Sequence, residues 1–393
     1  MTAAHLLRNG LVYTPRGPKS IDVLVIGSKI VEMGEQLPPL TSHLNCTEYD
    51  LDGRIVIPGI IDAHVHLTGG GGETGPGSRV PAVRLRDMVS SGVTSCVGVL
   101  GTDGTTRTVR DLVACAFGMR AEGISAWCYT GSYQYPVQTL TGSVRDDIVF
   151  IDPILGVGEL AISDHRSSQV TFSEFLRVAS DCYTAGLMSG KAGLLHLHMG
   201  DGAREFELIE QALDLCELPP RTYHPTHINR KTSLYESAKT LATRGVTVDL
   251  TAFPDADGGL LAVDAIVDWI ASDLPLERLT CSSDGGGCLP CFDSNGELLS
   301  MDIGRSKVLI DTMQELLRRG YDFEHFLPVF TENVARTMRL PWKGQLDVGF
   351  DADLLVVEAD GKIVDVMANG NWFVRNEEAV RMGRFDRIYE EIQ

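Results

Sequence analysis

Over residues 1–57 hydrophobic and polar positions alternate in short runs broken by turn residues. His5–Tyr13, Asp22–Ile26 and Lys29–Met33 read as strands, with Gly10 and Gly27-Ser28 as punctuation, and Glu48–Asp52 and Arg54–Ile57 flank Gly53. The last stretch has the same texture: Asp353–Val357, Ile363–Ala368 and Trp372–Arg375 alternate with Gly361 and Gly370. Strand-rich ends around a different middle predict one small β domain, of sandwich type, formed by residues 1–57 and 344–393.

Between them, short apolar runs alternate with amphipathic stretches. The runs are Val56–Asp62, Val93–Leu100, Ile124–Thr130, Ile154–Ile162, Leu194–Met199, Thr222–Ile228, Val246–Thr251 and Leu279–Asp284. After Thr171, residues Phe172, Phe175, Leu176, Ala179 and Tyr183 recur at helical spacing, and Phe206, Ile209, Leu213 and Cys216 do the same. Strand–helix alternation predicts parallel βαβ units. Eight units over residues 58–343 predict a (β/α)8 barrel, a fold of about 250 residues.

Composition narrows the function. The 393-residue chain has 34 Lys+Arg against 53 Asp+Glu, a formal net charge of −19. That surplus argues against general nucleic-acid or anionic-membrane binding, which needs a basic face. Small anionic substrates held by a few Arg remain open. No apolar run approaches the roughly 20 residues of a membrane span. The first residues lack the basic-then-apolar layout of a secretory signal. Nine irregularly spaced Cys suit free thiols in a reducing cytoplasm, the Cys288/Cys291 pair included.

The chemistry gathers at strand ends. His64 and His66 flank Val65 where the first barrel strand runs into Gly69–Gly72, and positions two apart on a strand project to one side. His198, His227 and Asp284 close the fifth, sixth and eighth runs. All five fall at the C-terminal mouth, where barrel active sites form. Imidazole and carboxylate ligands suit Zn²⁺. His196 competes with His198, and His224 with His227, for the ligand position.

The strings IPGIIDAHVH (57–66) and GQLDVGFDADL (344–354), with the later His, His and Asp, resemble the amidohydrolase superfamily. LTGGGGETGP (67–76), LGTD (100–103), TGSV (141–144), AISDHRS (161–167) and PTHINR (225–230) narrow this to a resemblance to isoaspartyl (β-aspartyl) dipeptidases. The resemblance covers nearly the whole chain. It implies a cytosolic, usually octameric zinc hydrolase that cleaves the β-linked peptide bond after isoaspartate in short peptides. In the family a metal-bridging hydroxide attacks the amide carbonyl. The resemblance implies two Zn²⁺ per chain, on His64, His66, His198, His227 and Asp284, with Asp284 also the general base and acid. Tyr133, with Tyr135 as rival, would stabilise the oxyanion. Glu73 would pair with the substrate ammonium, Arg166 and Arg230 with its carboxylates, and Gly71 and Thr102 would line the pocket. Cys288 stands where the family has a substrate-contacting serine.

One departure matters. The family bridges its metals with a carbamylated lysine on the fourth strand, yet no lysine lies between Lys29 and Lys191. Glu159 stands at the matching place, preceded by one extra residue. Its carboxylate offers the same O–C–O bridge if the strand bulges toward the metals; otherwise it supports a single-metal site. Two rivals remain at this point: another amidohydrolase reaction, such as a cyclic amidase or N-acyl amino acid hydrolase, and a non-catalytic scaffold on the same fold.

Overall fold

The computed structural model describes residues 4–39, 46–256, 258–292 and 298–386. Five strands open the chain: β1 (Ala4–Thr14), β2 (Gly17–Ile26), β3 (Lys29–Gly34), β4 (Cys46–Asp50) and β5 (Ile55–Pro58). Eight barrel strands follow: β6 (Ile60–Val65), β7 (Val93–Gly98), β8 (Ser125–Thr130), β9 (Ile154–Ile162), β10 (Leu194–Met199), β11 (Tyr223–Thr226), β12 (Val248–Thr251) and β13 (Leu279–Ser282). A hairpin, β14 (Cys288–Phe292) and β15 (Leu298–Ile303), was not anticipated from the sequence. β16 (Leu354–Val357), β17 (Ile363–Ala368), β18 (Asn371–Arg375) and β19 (Glu378–Ala379) complete the set.

The eight barrel strands are parallel wherever they pair. β6 to β11 form one sheet in chain order and β12 pairs with β13. A parallel bridge from Val65 to Gly285 joins β13 back to β6. Thr226 donates to Asp249 at 2.7 Å across β11 and β12, closing the circle. Strands covered on both faces read as continuous apolar runs, which is why the sequence shows them so plainly. The helices between them carry legible ends. Thr171 and Glu174 form a reciprocal cap on Phe172–Ser189, and Gly190 stops that helix in the left-handed region at φ 73°.

The run Val56–Asp62 divides at Pro58-Gly59. β5 joins the sheet of the chain ends, whereas β6 enters the barrel. Among the described residues that outer sheet has nine strands, and β16 pairs antiparallel to β5, so strands from the two ends of the chain lie edge to edge. Its core, including Leu7, Val12, Val23, Val25, Ile30, Val56, Leu354 and Val356, is drawn from both ends. Lys343 fastens the sheet to the barrel. Its buried ammonium reaches Asp353 at 2.5 Å, Asp351 at 3.0 Å and Ser125, which begins β8, at 2.7 Å.

Among the described residues, no helix is long and apolar enough to cross a membrane. The described cysteines are free thiols; the side chain of Cys291 lies outside the described residues.

Candidate metal centre

The strand ends bring six polar side chains together under almost no solvent. His64, His198, His227 and Glu159 are at most 1% exposed, His66 6% and Asp284 7%. Alternation along β6 does what the spacing predicts: His64 and His66 face the same centre. His227 and Asp284 sit just past β11 and β13 in the left-handed region, at φ 63° and 52°. Non-glycine residues adopt that conformation at a cost, and such strain concentrates at functional sites. Gly101 leaves room for the cluster, because a Cβ there would come within 2.8 Å of the His66 ring.

Glu159 is central. Between Val157 and Leu160, β9 has one residue more than β10 has between Leu195 and Leu197. This bulge at Gly158-Glu159 carries the short carboxylate inward. Its Oε1 lies 3.5 Å from both His64 Nε2 and His66 Nε2. Its Oε2 lies 3.0 Å from His198 Nδ1 and 3.5 Å from His227 Nε2. Asp284 Oδ1 completes the first side, 3.0 Å from His66 Nε2 and 3.5 Å from His64 Nε2. The carboxylate thus faces a His64–His66–Asp284 group with one oxygen and a His198–His227 pair with the other.

These atoms fit metal ions better than they fit each other. His64 Nε2, Glu159 Oε1 and Asp284 Oδ1 are buried without a hydrogen-bond partner. Buried polar atoms left unpaired cost free energy, and convergent acceptors repel. Tetrahedral Zn²⁺ with ligands at about 2.0–2.2 Å spaces neighbouring ligand atoms roughly 3.3–3.6 Å apart. The 3.0–3.5 Å contacts match that spacing. His64, Glu159 and His227, and His64, His66 and Asp284, each converge closely enough to share one ion. His198 belongs to neither trio; it meets Glu159 from the far side.

Around the cluster lies a charged rim. Burial works to raise the Asp164 carboxyl, but hydrogen bonds from His198 and Arg166 outweigh it and hold it far below the usual carboxylate range. Asp164 grips Arg166 bidentately, at 3.0 Å to Nε and 2.8 Å to Nη2, and takes His198 Nε2 at 3.0 Å. Arg166 Nη1 remains directed at Glu73, 3.6 Å away, and Thr102 donates to Glu73 at 2.9 Å. Arg230 donates to the Met199 carbonyl and lies 3.1 Å from His198 Nε2. The Tyr133 hydroxyl is 2.7 Å from His198 Nδ1, and burial, followed by the Glu159 charge, pushes its pKa far above the phenol value. Tyr135 instead precedes a cis-proline and packs against the apolar core. Gly71, at φ 69°, has no room for a side chain: a Cβ would lie 2.4 Å from the Ser78 carbonyl and 3.3 Å from Cys288 Cβ. Burial, then Glu73, raises the Cys288 thiol to about 11, so it stays protonated.

His196 and His224 lie deeper. His196 Nε2 is 2.8 Å from His64 Nδ1, and His196 Nδ1 is 2.9 Å from His224 Nδ1. Neither reaches Glu159 or Asp284. Sequence reasoning missed Asp164, although it sits inside the string 161–167, two residues before Arg166. It also missed Thr251, 2.7 Å from His227 Nδ1, and Arg107, which donates to the carbonyls of Thr68, Gly71 and Val80 and so shapes the glycine loop.

The model of the amidohydrolase family matches residues 55–373. The chain belongs to that family and is a metal-dependent hydrolase. Two solved structures of a β-aspartyl dipeptidase from Fervidobacterium islandicum AW-1 are close to it. One, in complex with a β-Asp-Leu dipeptide, is 38% identical with a TM-score of 0.92, covering 96% of this chain and 98% of that one. The other is 37% identical with a TM-score of 0.88 over the same shares. An allantoinase from Deinococcus radiodurans is 23% identical over 416 residues, which cover 91% of this chain and 87% of the relative.

Proposed function

We propose that this protein is a binuclear zinc dipeptidase that hydrolyses the β-linked peptide bond following isoaspartate in short peptides. The observation that carries the reading is Glu159, whose two oxygens face two separate ligand groups at the barrel mouth. The glutamate and two arginines beside it, and the likeness to a dipeptidase solved with β-Asp-Leu, support the substrate.

Zinc held by His64, His66 and Asp284 on one side and by His198 and His227 on the other, with Glu159 shared, would supply an acidified water and a Lewis acid for the amide carbonyl. Asp284 Oδ1 takes the proton from the attacking water and returns it to the leaving nitrogen. The Tyr133 hydroxyl, kept protonated by its burial, donates to the oxygen of the tetrahedral adduct. Glu73 pairs with the α-ammonium of isoaspartate. Arg166, held rigid by Asp164, and Arg230 pair with the two substrate carboxylates. Gly71, Thr102 and Cys288 line the ammonium end, where Cys288 offers a weaker donor than a hydroxyl.

The test is leucine release by the zinc-loaded protein from isoAsp-Leu, Asp-Leu and N-acetyl-isoAsp-Leu. Turnover of the first alone is expected. Equal rates on the acetylated peptide remove the role of Glu73, and turnover of cyclic amides with none of isoAsp-Leu reassigns the substrate.

A further inference from the structure

The cluster does not end at its ligands. Beneath His64, a single file of buried polar side chains crosses the barrel interior from strand to strand. His64 Nδ1 meets His196 Nε2 at 2.8 Å, and His196 Nδ1 meets His224 Nδ1 at 2.9 Å. His224 Nε2 meets Thr280 Oγ1 at 3.1 Å, and Thr280 donates to Asp249 Oδ1 at 2.6 Å. His64, His196, His224, Thr280 and Asp249 are all 0% exposed. Tyr129 stacks on the His196 ring at 4.9 Å and 13°, which fixes its plane. The five residues come from five strands, so only the closed barrel assembles the file.

The bonding has one consistent direction. A carboxylate only accepts, and Asp249 also takes the hydroxyls of Thr226 at 2.7 Å and Ser282 at 2.5 Å. Thr280 spends its proton on Asp249, so its oxygen accepts from His224 Nε2–H. A neutral imidazole has one proton, so His224 Nδ1 is bare and accepts from His196 Nδ1–H. His196 Nε2 is then bare and accepts from His64 Nδ1–H. His64 is left with an unprotonated Nε2, the atom facing Glu159 and Asp284.

We propose that His196, His224, Thr280 and Asp249 are positioning residues that dictate which nitrogen of His64 is free to bind metal. The proposal rests on the reading of His64 as a ligand. A metal-ligating histidine ordinarily donates its second N–H to one carboxylate or carbonyl, which fixes the ring and makes it a better ligand. Here the carboxylate stands on β12 and acts through two neutral rings and a hydroxyl.

The experiment uses the full chain loaded with Zn²⁺ and labelled with ¹⁵N-histidine. Two-bond ¹H–¹⁵N correlation should find the proton on Nδ1 in His64 and His196 and on Nε2 in His224. Thr280→Val keeps shape but removes the link to Asp249. In chelator competition it should release its tighter-held zinc with about 10-fold weaker affinity, and Thr280→Ser should restore the wild-type value. Wild-type protein with His196 or His224 in the other tautomer overturns the proposal even if Thr280→Val does not fold. Unchanged zinc affinity and unchanged His64 signals in Thr280→Val overturn the file alone. A wild type that takes up no zinc overturns the metal reading together with it.

Discussion

Two buried charged clusters lie about the barrel, one at its mouth and one where it meets the outer sheet, and they are built on opposite rules. At the seam, the Lys343 ammonium has three close oxygens, and Asp353 also accepts the backbone N–H of Asn369 at 2.7 Å. Burial alone would lower the Lys343 pKa, but Asp353 and Asp351 raise it. At the mouth, His64 Nε2, Glu159 Oε1 and Asp284 Oδ1 meet no donor. A cluster whose charges answer one another holds structure together. A cluster whose acceptors converge without a donor among them is shaped for something else. Burial and charge are alike in both; the direction of the hydrogen-bonding groups separates them.

That contrast can be broken in graded steps. Asp284→Asn should cost the most in rate, about 10²–10⁴ in turnover, the range general acid–base catalysis supplies. It should leave the metal-free protein no less stable in urea, since Asp284 Oδ1 has no partner to lose; a large loss of stability would make Asp284 structural. Lys343→Met should do the reverse. Removing one member of a buried pair costs about 3–5 kcal/mol, read as a lower urea midpoint, with zinc content and turnover of the folded fraction unchanged. Loss of zinc in that variant would join the two clusters energetically. Zinc removal comes next. An ion present at 100 times its dissociation constant stabilises the native state by about 2.7 kcal/mol. Glu159→Ala should forfeit roughly one ion's share, with elemental analysis falling from two zinc to one. The smallest effect sharpens the role of Glu159: apoprotein given Zn²⁺ should regain activity equally fast with and without bicarbonate, because a glutamate bridge would need no carbamylation. A marked bicarbonate dependence would assign the bridge elsewhere.

Much of this was legible in the chain. The paired histidines of β6 could be read because alternation on a strand is strict, and the barrel because two-sided burial writes continuous apolar runs. Glu159 drew notice through a missing lysine and one extra residue. Depth could be read only along one strand: His196 and His198 point the same way, and His198 is favoured as the one nearer the strand end, a rise of about 3.3 Å per residue separating successive positions. The apolar run Val56–Asp62 continues across Pro58-Gly59 into a different sheet, so the run by itself does not mark where one strand ends and the next begins. Asp164, Thr251, Asp249 and Thr280 are ordinary polar residues in sequence. Their meaning comes from which strands become neighbours, and no local pattern records that.

The pairing of β5 with β16 also bears on how the molecule is made. The first strands leave the ribosome nearly 300 residues before the partner that covers β5. At roughly 5–20 residues per second, that is on the order of 15–60 s with an open hydrogen-bonding edge. β5 ends in proline, which cannot donate along such an edge. The outer sheet therefore acts as a latch closed after the barrel: the barrel can assemble during synthesis, whereas the outer sheet is finished only once β16 has emerged.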